Sequence, residues 1–167
     1  MNNLANKLLH IKLLVLDVDG VLTDGRVYYT PEGSEIKGFH VHDGLGIRSL
    51  IKHGIRVAII SGRASKATQA RMDDLGVKLV FLGITDKNLP YQELKNSLKL
   101  TDDNIAYIGD DLPDIAVMSQ VGFAVAVANA SKEVIAIADY TTKADGGSGA
   151  VREICDLILN NQPLKKS

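Results

Sequence analysis

Five short apolar runs punctuate the chain: Leu13–Leu16, Val57–Ile60, Lys78–Leu82, Ile105–Ile108 and Phe123–Val127. Each is nearly continuous rather than alternating, as strands covered on both faces are. Between them, GLGIRSLIKHG, SKATQARMDDLG and LPDIAVMSQVG space their aliphatic residues at helical intervals. Each ends at a glycine, Gly54, Gly76 or Gly122, where a left-handed C-terminal cap is expected. Strands alternating with helices predict an α/β fold, a Rossmann-like three-layer sandwich around a mostly parallel central sheet. The texture changes at RVYYTPEGSEIKGFHV, where two β-rich arms flank a turn composition and predict a small β-hairpin insertion over 26–42. Near the other end, KADGGSGAVRE is a glycine-rich loop before a last helix within 144–167, with fraying expected after Asn160. The whole of 1–167 is expected to be one domain.

Composition narrows the function classes. A formal charge of -1 supplies no general attraction to nucleic acid or anionic lipid, so neither is an expected partner. The apolar N-terminal run is broken by Lys7, His10 and Lys12, which argues against a signal peptide or a membrane span. The one cysteine, Cys155, sits in the apolar helical pattern AVREICDLIL and is expected to pack rather than react. With no disulfide framework possible, a soluble cytoplasmic protein is the expectation.

The chemistry gathers where the strands end. Ligands of open parallel sheets bind outside the carboxyl ends of the strands. In LLVLDVDGVLTDG the first strand runs straight into Asp17 and Asp19; Ser61, Gly62 and Arg63 follow the second, Lys87 the third, and GDDLPD (Gly109–Asp114) the fourth. Acids at the tip of a buried strand need solvent or a cation. Asp17 and Asp110 offer the hard oxygen atoms that Mg2+ takes. Lys87, Ser61 and turn amides offer positive charge and donors to phosphoryl oxygens. Asp19, on the same side of an extended chain as Asp17, could protonate a leaving oxygen and then activate water. That division of labour points to a phosphoaspartyl intermediate. Taken singly, the aspartates could be turn or capping residues, Ser61 a helix cap and Lys87 a solvated side chain. It is the set of four segments that specifies a phosphoryl site.

The set resembles the haloacid dehalogenase-like phosphohydrolases, whose pattern opens DxDGTxT or DxDGVLT: here DVDGVLTDG, SGR, Lys87 and GDDLPD fill its four motifs. The resemblance implies Asp17 as nucleophile, Asp19 as general acid and base, and Ser61, Gly62 and Lys87 as phosphate ligands. It also implies Asp17, Asp110 and the Asp19 backbone carbonyl as Mg2+ ligands, with Asp111 and Asp114 supporting from a second position. Family members usually carry a cap domain after the first or second motif, but neither Gly20–Ile60 nor Gly62–Asp86 has room for a large one.

FHVHDGLGIR, the short hairpin and GGSGAVRE are similar to a branch that hydrolyses sugar-acid phosphates in lipopolysaccharide synthesis. This implies a homotetramer in which hairpins associate and a neighbouring subunit helps close each site; an unpaired hairpin edge is otherwise a liability. The implied substrate contacts are Asp19, His40, Val41, His42, Asp43, Gly44, Arg48, Arg63, Arg71 and Lys87. Arg63 and Arg71, eight apart, are expected to share a helix face, and Arg48 to open another helix. The pattern departs at His42, where arginine is usual, and at Ser148, where a basic residue is common. A pH-sensitive contact, or a different eight- or nine-carbon sugar acid, is the expectation from those departures. A phospho-accepting receiver domain also combines acids, magnesium and lysine, but its acids come as an adjacent pair with the phosphorylated aspartate on a later strand. The D-x-D spacing favours turnover instead.

Overall fold

In the computed structural model, which describes residues 3–163, the run at 13–16 is strand β1 (Leu13–Leu16), buried along its whole length. Helix α1 (Asn3–Leu9) precedes it. A two-stranded antiparallel hairpin, β2 (Tyr28–Tyr29) and β3 (Glu35–Ile36), follows. Then come α2 (Val41–Lys52), β4 (Arg56–Ser61), α3 (Lys66–Leu75), β5 (Leu79–Leu82), α4 (Asn88–Ser97), β6 (Ile105–Gly109), α5 (Ile115–Met118), β7 (Phe123–Ala126), α6 (Lys132–Ile137), β8 (Tyr140–Thr141) and α7 (Ala150–Asn161). The six strands of the main sheet lie in the order β5-β4-β1-β6-β7-β8, all parallel.

Alternation along β1 splits the core into two. Leu14 and Leu16 face the cluster that includes Ile47, Leu50, Val151 and Ile154 from α2 and α7. Leu13 and Val15 face Tyr91, Leu94 and Val117 from α4 and α5. These are the two interfaces of a three-layer sandwich. Helices α2 and α7 approach closely because Gly46 has no side chain: a Cβ there would lie 3.0 Å from Cys155 Cβ. Cys155 is fully buried and burial pushes its thiol pKa up, so it packs as an apolar residue.

Three local expectations are corrected. Gly54 and Gly76 do adopt positive φ, but Gly122 does not. Its need is space, since a Cβ would lie 2.6 Å from Asp103 Cα. Arg63 and Arg71 do not share a helix, because Ser65 accepts from the Thr68 N–H and caps α3 two residues beyond Arg63. Arg48 sits inside α2 rather than opening it. The hairpin is as expected in kind, with arms of only two paired residues each. Fraying after Asn160 does not occur at once, as α7 reaches Asn161; residues 164–167 lie outside the described part.

Connections leave β1 in opposite directions, to β4 and β5 on one side and from β6 to β7 and β8 on the other. The carboxyl ends of β4, β1 and β6 therefore flank the switch point where such sheets bind ligands.

Candidate active site

Asp17 follows β1 directly, and its N–H continues the ladder by donating to the Ile108 carbonyl at 3.2 Å. The chain then folds tightly, with Val18 O accepting from the amides of Val21, Leu22 and Thr23. Gly20 makes this possible twice over. Its φ of +92° suits glycine, and a Cβ would lie 2.0 Å from Asp110 Oδ2. The missing side chain lets the acid after β6 close on the loop after β1. Gly146 of the glycine-rich loop packs there too, where a Cβ would lie 1.6 Å from Gly20 O.

Lys87 begins α4 with its side chain buried, Nζ 2.9 Å from Asp17 Oδ1 and 2.7 Å from Asp114 Oδ1. Asp114 is itself saturated. Its Oδ1 also accepts from Tyr107 Oη at 2.6 Å, and its Oδ2 accepts from the amides of Asp110 and Asp111 at 3.0 and 3.2 Å. Asp111 is exposed and uses its carboxylate to cap the 3-10 turn Leu112–Asp114 through the Leu112 N–H.

Oxygens of Asp17, Asp110 and Asp114 all lie within 4.8 Å of one another. Burial, then repulsion from Asp17 and Asp114, pushes Asp110 up to about 8. Burial, then Asp114, raises Asp17 to about 6 against the opposing pull of Lys87. Burial alone would lower Lys87, but attraction from Asp17 and Asp114 outweighs it and raises its pKa. Among the described residues, three acids against one ammonium leave surplus negative charge on hard oxygen atoms, a donor set that fits Mg2+. Asp17 and Asp110 are the residues that would hold it, with Asp114 committed to bracing its neighbours.

These groups line a cleft of about 540 Å³ together with Asp19, Ser61, Gly62, Arg63 and Asp111, so all four sequence segments converge. Lys87 is not solvated, and the buried Ser61 does not cap α3; its Oγ accepts from the Arg63 N–H at 3.3 Å. The cleft mouth holds residues that sequence reasoning missed. Arg63 Nη2 donates to Glu35 Oε2 at 2.6 Å and to Tyr29 Oη at 3.2 Å. Lys37, its side chain 1% exposed, pairs with Asp19 Oδ1 and lies 3.3 Å from Glu35 Oε1. The hydrogen bond from Arg63 leads in holding the Glu35 carboxyl down at about 2. A signal was present: Glu35 and Lys37 flank the exposed Ile36 on an extended arm, so charges point inward and the apolar residue outward.

The other expected substrate contacts do not line this cleft. Arg48 and Arg71 both bind Asp74, at 3.2 and 3.0 Å. Gly44 leaves room for Arg71, whose Nη2 would be 2.3 Å from a Cβ. Val41 is exposed. Asp43 is buried and its Oδ1 accepts from the Arg152 N–H at the start of α7; burial raises its pKa. His40 and His42 meet edge to face, centroids 5.0 Å apart.

Residues 83–154 match the haloacid dehalogenase-like hydrolase pattern, and with the relatives below, which span most of the chain, they show that the chain belongs to this family. A 3-deoxy-D-manno-octulosonate 8-phosphate phosphatase of Yersinia pestis is 49% identical over 150 residues, 90% of this chain and 80% of that protein. The Escherichia coli K12 phosphatase of the same name is 47% identical over the same shares. Among solved structures, the phosphatase of that name from Moraxella catarrhalis superposes with a TM-score of 0.94 at 44% identity, covering 97% of this chain and 93% of its own. That protein was crystallised in complex with magnesium ion, phosphate ion and KDO.

Proposed function

We propose that the chain is a Mg2+-dependent phosphatase that converts 3-deoxy-D-manno-octulosonate 8-phosphate to the free sugar acid and phosphate, acting in the cytoplasm in lipopolysaccharide sugar synthesis. The observation that carries this reading is the convergence of Asp17, Lys87, Asp110 and Asp114 on one cleft in a chain 49% identical to a phosphatase of that substrate.

Asp17 attacks phosphorus, forming an acyl phosphate as the bond to the sugar oxygen breaks. Lys87, buried against Asp17, donates to a phosphoryl oxygen and offsets the meeting of two anions. Ser61 and the Gly62 amide hold the other phosphoryl oxygens. Asp19 gives its proton to the leaving oxygen, then takes one from the water that releases Asp17. Asp17, Asp110 and the Asp19 carbonyl would hold Mg2+, which would supply positive charge against the anions that meet at phosphorus. Asp111 and Asp114 support that set through the turn they build. Arg63 is the candidate partner for the substrate carboxylate, its planar fork suiting a bidentate pair.

A homotetramer is part of this reading. Val27, Tyr28, Tyr29 and Ile36 on the hairpin and Val41 and Leu45 on α2 are exposed apolar residues. Association through them would cover that surface and bring a neighbour's His40, Val41, His42, Asp43, Gly44, Arg48 and Arg71 within reach of substrate, where one copy alone does not. Sedimentation is expected at four times the chain mass; a monomer would remove this part.

The substrate is tested by turnover of phosphorylated sugar acids beside neutral sugar phosphates in Mg2+. A preference of 10-fold or more in kcat/KM for the acids is expected, since a hydrogen bond to a charged group contributes about 1.5–3 kcal/mol. Equal turnover would leave a generic phosphatase. His42 in place of arginine keeps a nonulosonate-type sugar acid as the second substrate in that screen.

A further inference from the structure

Four charges close a ring at the cleft mouth. Lys37 pairs with Asp19 Oδ1 and with Glu35 Oε1, Glu35 Oε2 accepts from Arg63, and Arg63 Nε returns to within 3.8 Å of Asp19 Oδ2. The ring joins the loop after β1, the hairpin and the loop after β4. Within it the two oxygens of Asp19 are unequal. Oδ1 is held by Lys37, whereas Oδ2 is buried without a hydrogen-bond partner. Lys37 is enclosed: its side chain is 1% exposed, and its Nζ also lies 3.3 Å from Glu35 Oε1.

We propose that Lys37 is a positioning residue for proton transfer: it fixes Asp19 by Oδ1 and leaves Oδ2 as the oxygen that carries the proton. This rests on the assignment of Asp19 as general acid. In the first half-reaction an Asp17 oxygen bonds to phosphorus, the bond from phosphorus to the leaving oxygen breaks, and the proton passes from Asp19 Oδ2 to that oxygen. In the second, water attacks phosphorus, its proton goes to Asp19 Oδ2, and Asp17 departs as carboxylate. Without Lys37, Asp19 can rotate toward Arg63 and present either oxygen, and proton transfer loses its geometry while the attack by Asp17 does not.

The leaving group separates the two steps. p-Nitrophenolate departs without a proton; a sugar alkoxide does not. Release of each is followed in single turnovers by rapid quench, with enzyme and Mg2+ in excess, from p-nitrophenyl phosphate and from 3-deoxy-D-manno-octulosonate 8-phosphate. General acids contribute about 10²–10⁴-fold. Lys37→Met is therefore expected to slow sugar release at least about 10-fold more than nitrophenol release, with Lys37→Arg recovering most of the difference. Lys37→Gln is the second variant, and the melting curve of each verifies folding; the hairpin lies outside the main sheet. Equal losses on both substrates, or none on either, overturn the proposal. Asp19→Asn is run alongside. If it too shows no dependence on leaving group, the assignment of Asp19 as acid falls; if Asp19→Asn shows it and Lys37→Met does not, only the role of Lys37 falls.

Discussion

Asp17→Asn is expected to lower phosphate release by roughly 10⁵-fold or more, the scale on which loss of a nucleophile acts. The same change is expected to leave the metal-free chain no less stable above pH 7. These outcomes come from one arrangement. Asp17 is raised to about 6 by burial and then by Asp114, and Asp110 to about 8 by burial and then by Asp17 and Asp114. A carboxyl whose folded pKa lies above its unfolded value binds protons more tightly in the folded chain. Its ionisation therefore costs stability as pH rises from the unfolded value through the folded one. The metal-free parent should accordingly melt lower at pH 8.5 than at pH 5. Added Mg2+ should close that gap, since an ion that binds only the folded chain stabilises it. Asparagine at 17 cannot ionise and removes one of the repelling charges, so the dependence on pH should flatten. Phosphate release measured in Mg2+, and melting measured in chelator across pH 5–8.5, test the two halves. Retained turnover removes Asp17 as nucleophile, and a flat melting profile in the parent removes the repulsion.

What the sequence revealed and what it hid have physical causes. β1 was legible to the residue because a parallel strand buried on both faces must be apolar throughout, and the acid at 17 marks where it leaves the core. The same logic located the ends of β4 and β6, and so the residues that meet there. β8, two residues beside β7, carries too little pattern to announce itself. The misplacement of Arg63 came from extending a helical period backwards past Ser65, a capping residue that should have stopped it. Glu35 and Lys37 were overlooked for a different reason. Charged residues on a short hairpin are ordinarily solvated, and only the tertiary return of β3 over Asp19 and Arg63 makes them partners. The saturation of Asp114 was equally invisible, because it depends on Tyr107 from inside β6 pointing to the same face as the turn that follows.

Lys87→Met is the change expected to cost most stability in the metal-free chain. The side chain is 5% exposed, fills a buried position at the start of α4, and places the one ammonium that, among the described residues, touches Asp17 and Asp114. Methionine keeps comparable volume and removes the charge. Breaking a buried ion pair from one side costs about 3–5 kcal/mol, because the remaining partner stays buried and uncompensated. Here two partners remain, with Asp110 beside them, so the direction of the pH effect follows. Loss of the cation raises Asp17 further, and the variant's deficit should be largest at pH 8, where Asp17 and Asp110 are pressed to ionise, and smaller at pH 5.5, where protonation relieves them. Urea denaturation at the two pH values with unchanged m-values reads this directly. Mg2+ should restore part of the stability but little of the turnover, which is expected to fall about 10²–10³-fold for want of a donor to the phosphoryl oxygen. A deficit that is equal at both pH values would mean that Lys87 matters for its packing, and that the acids are compensated by some other group.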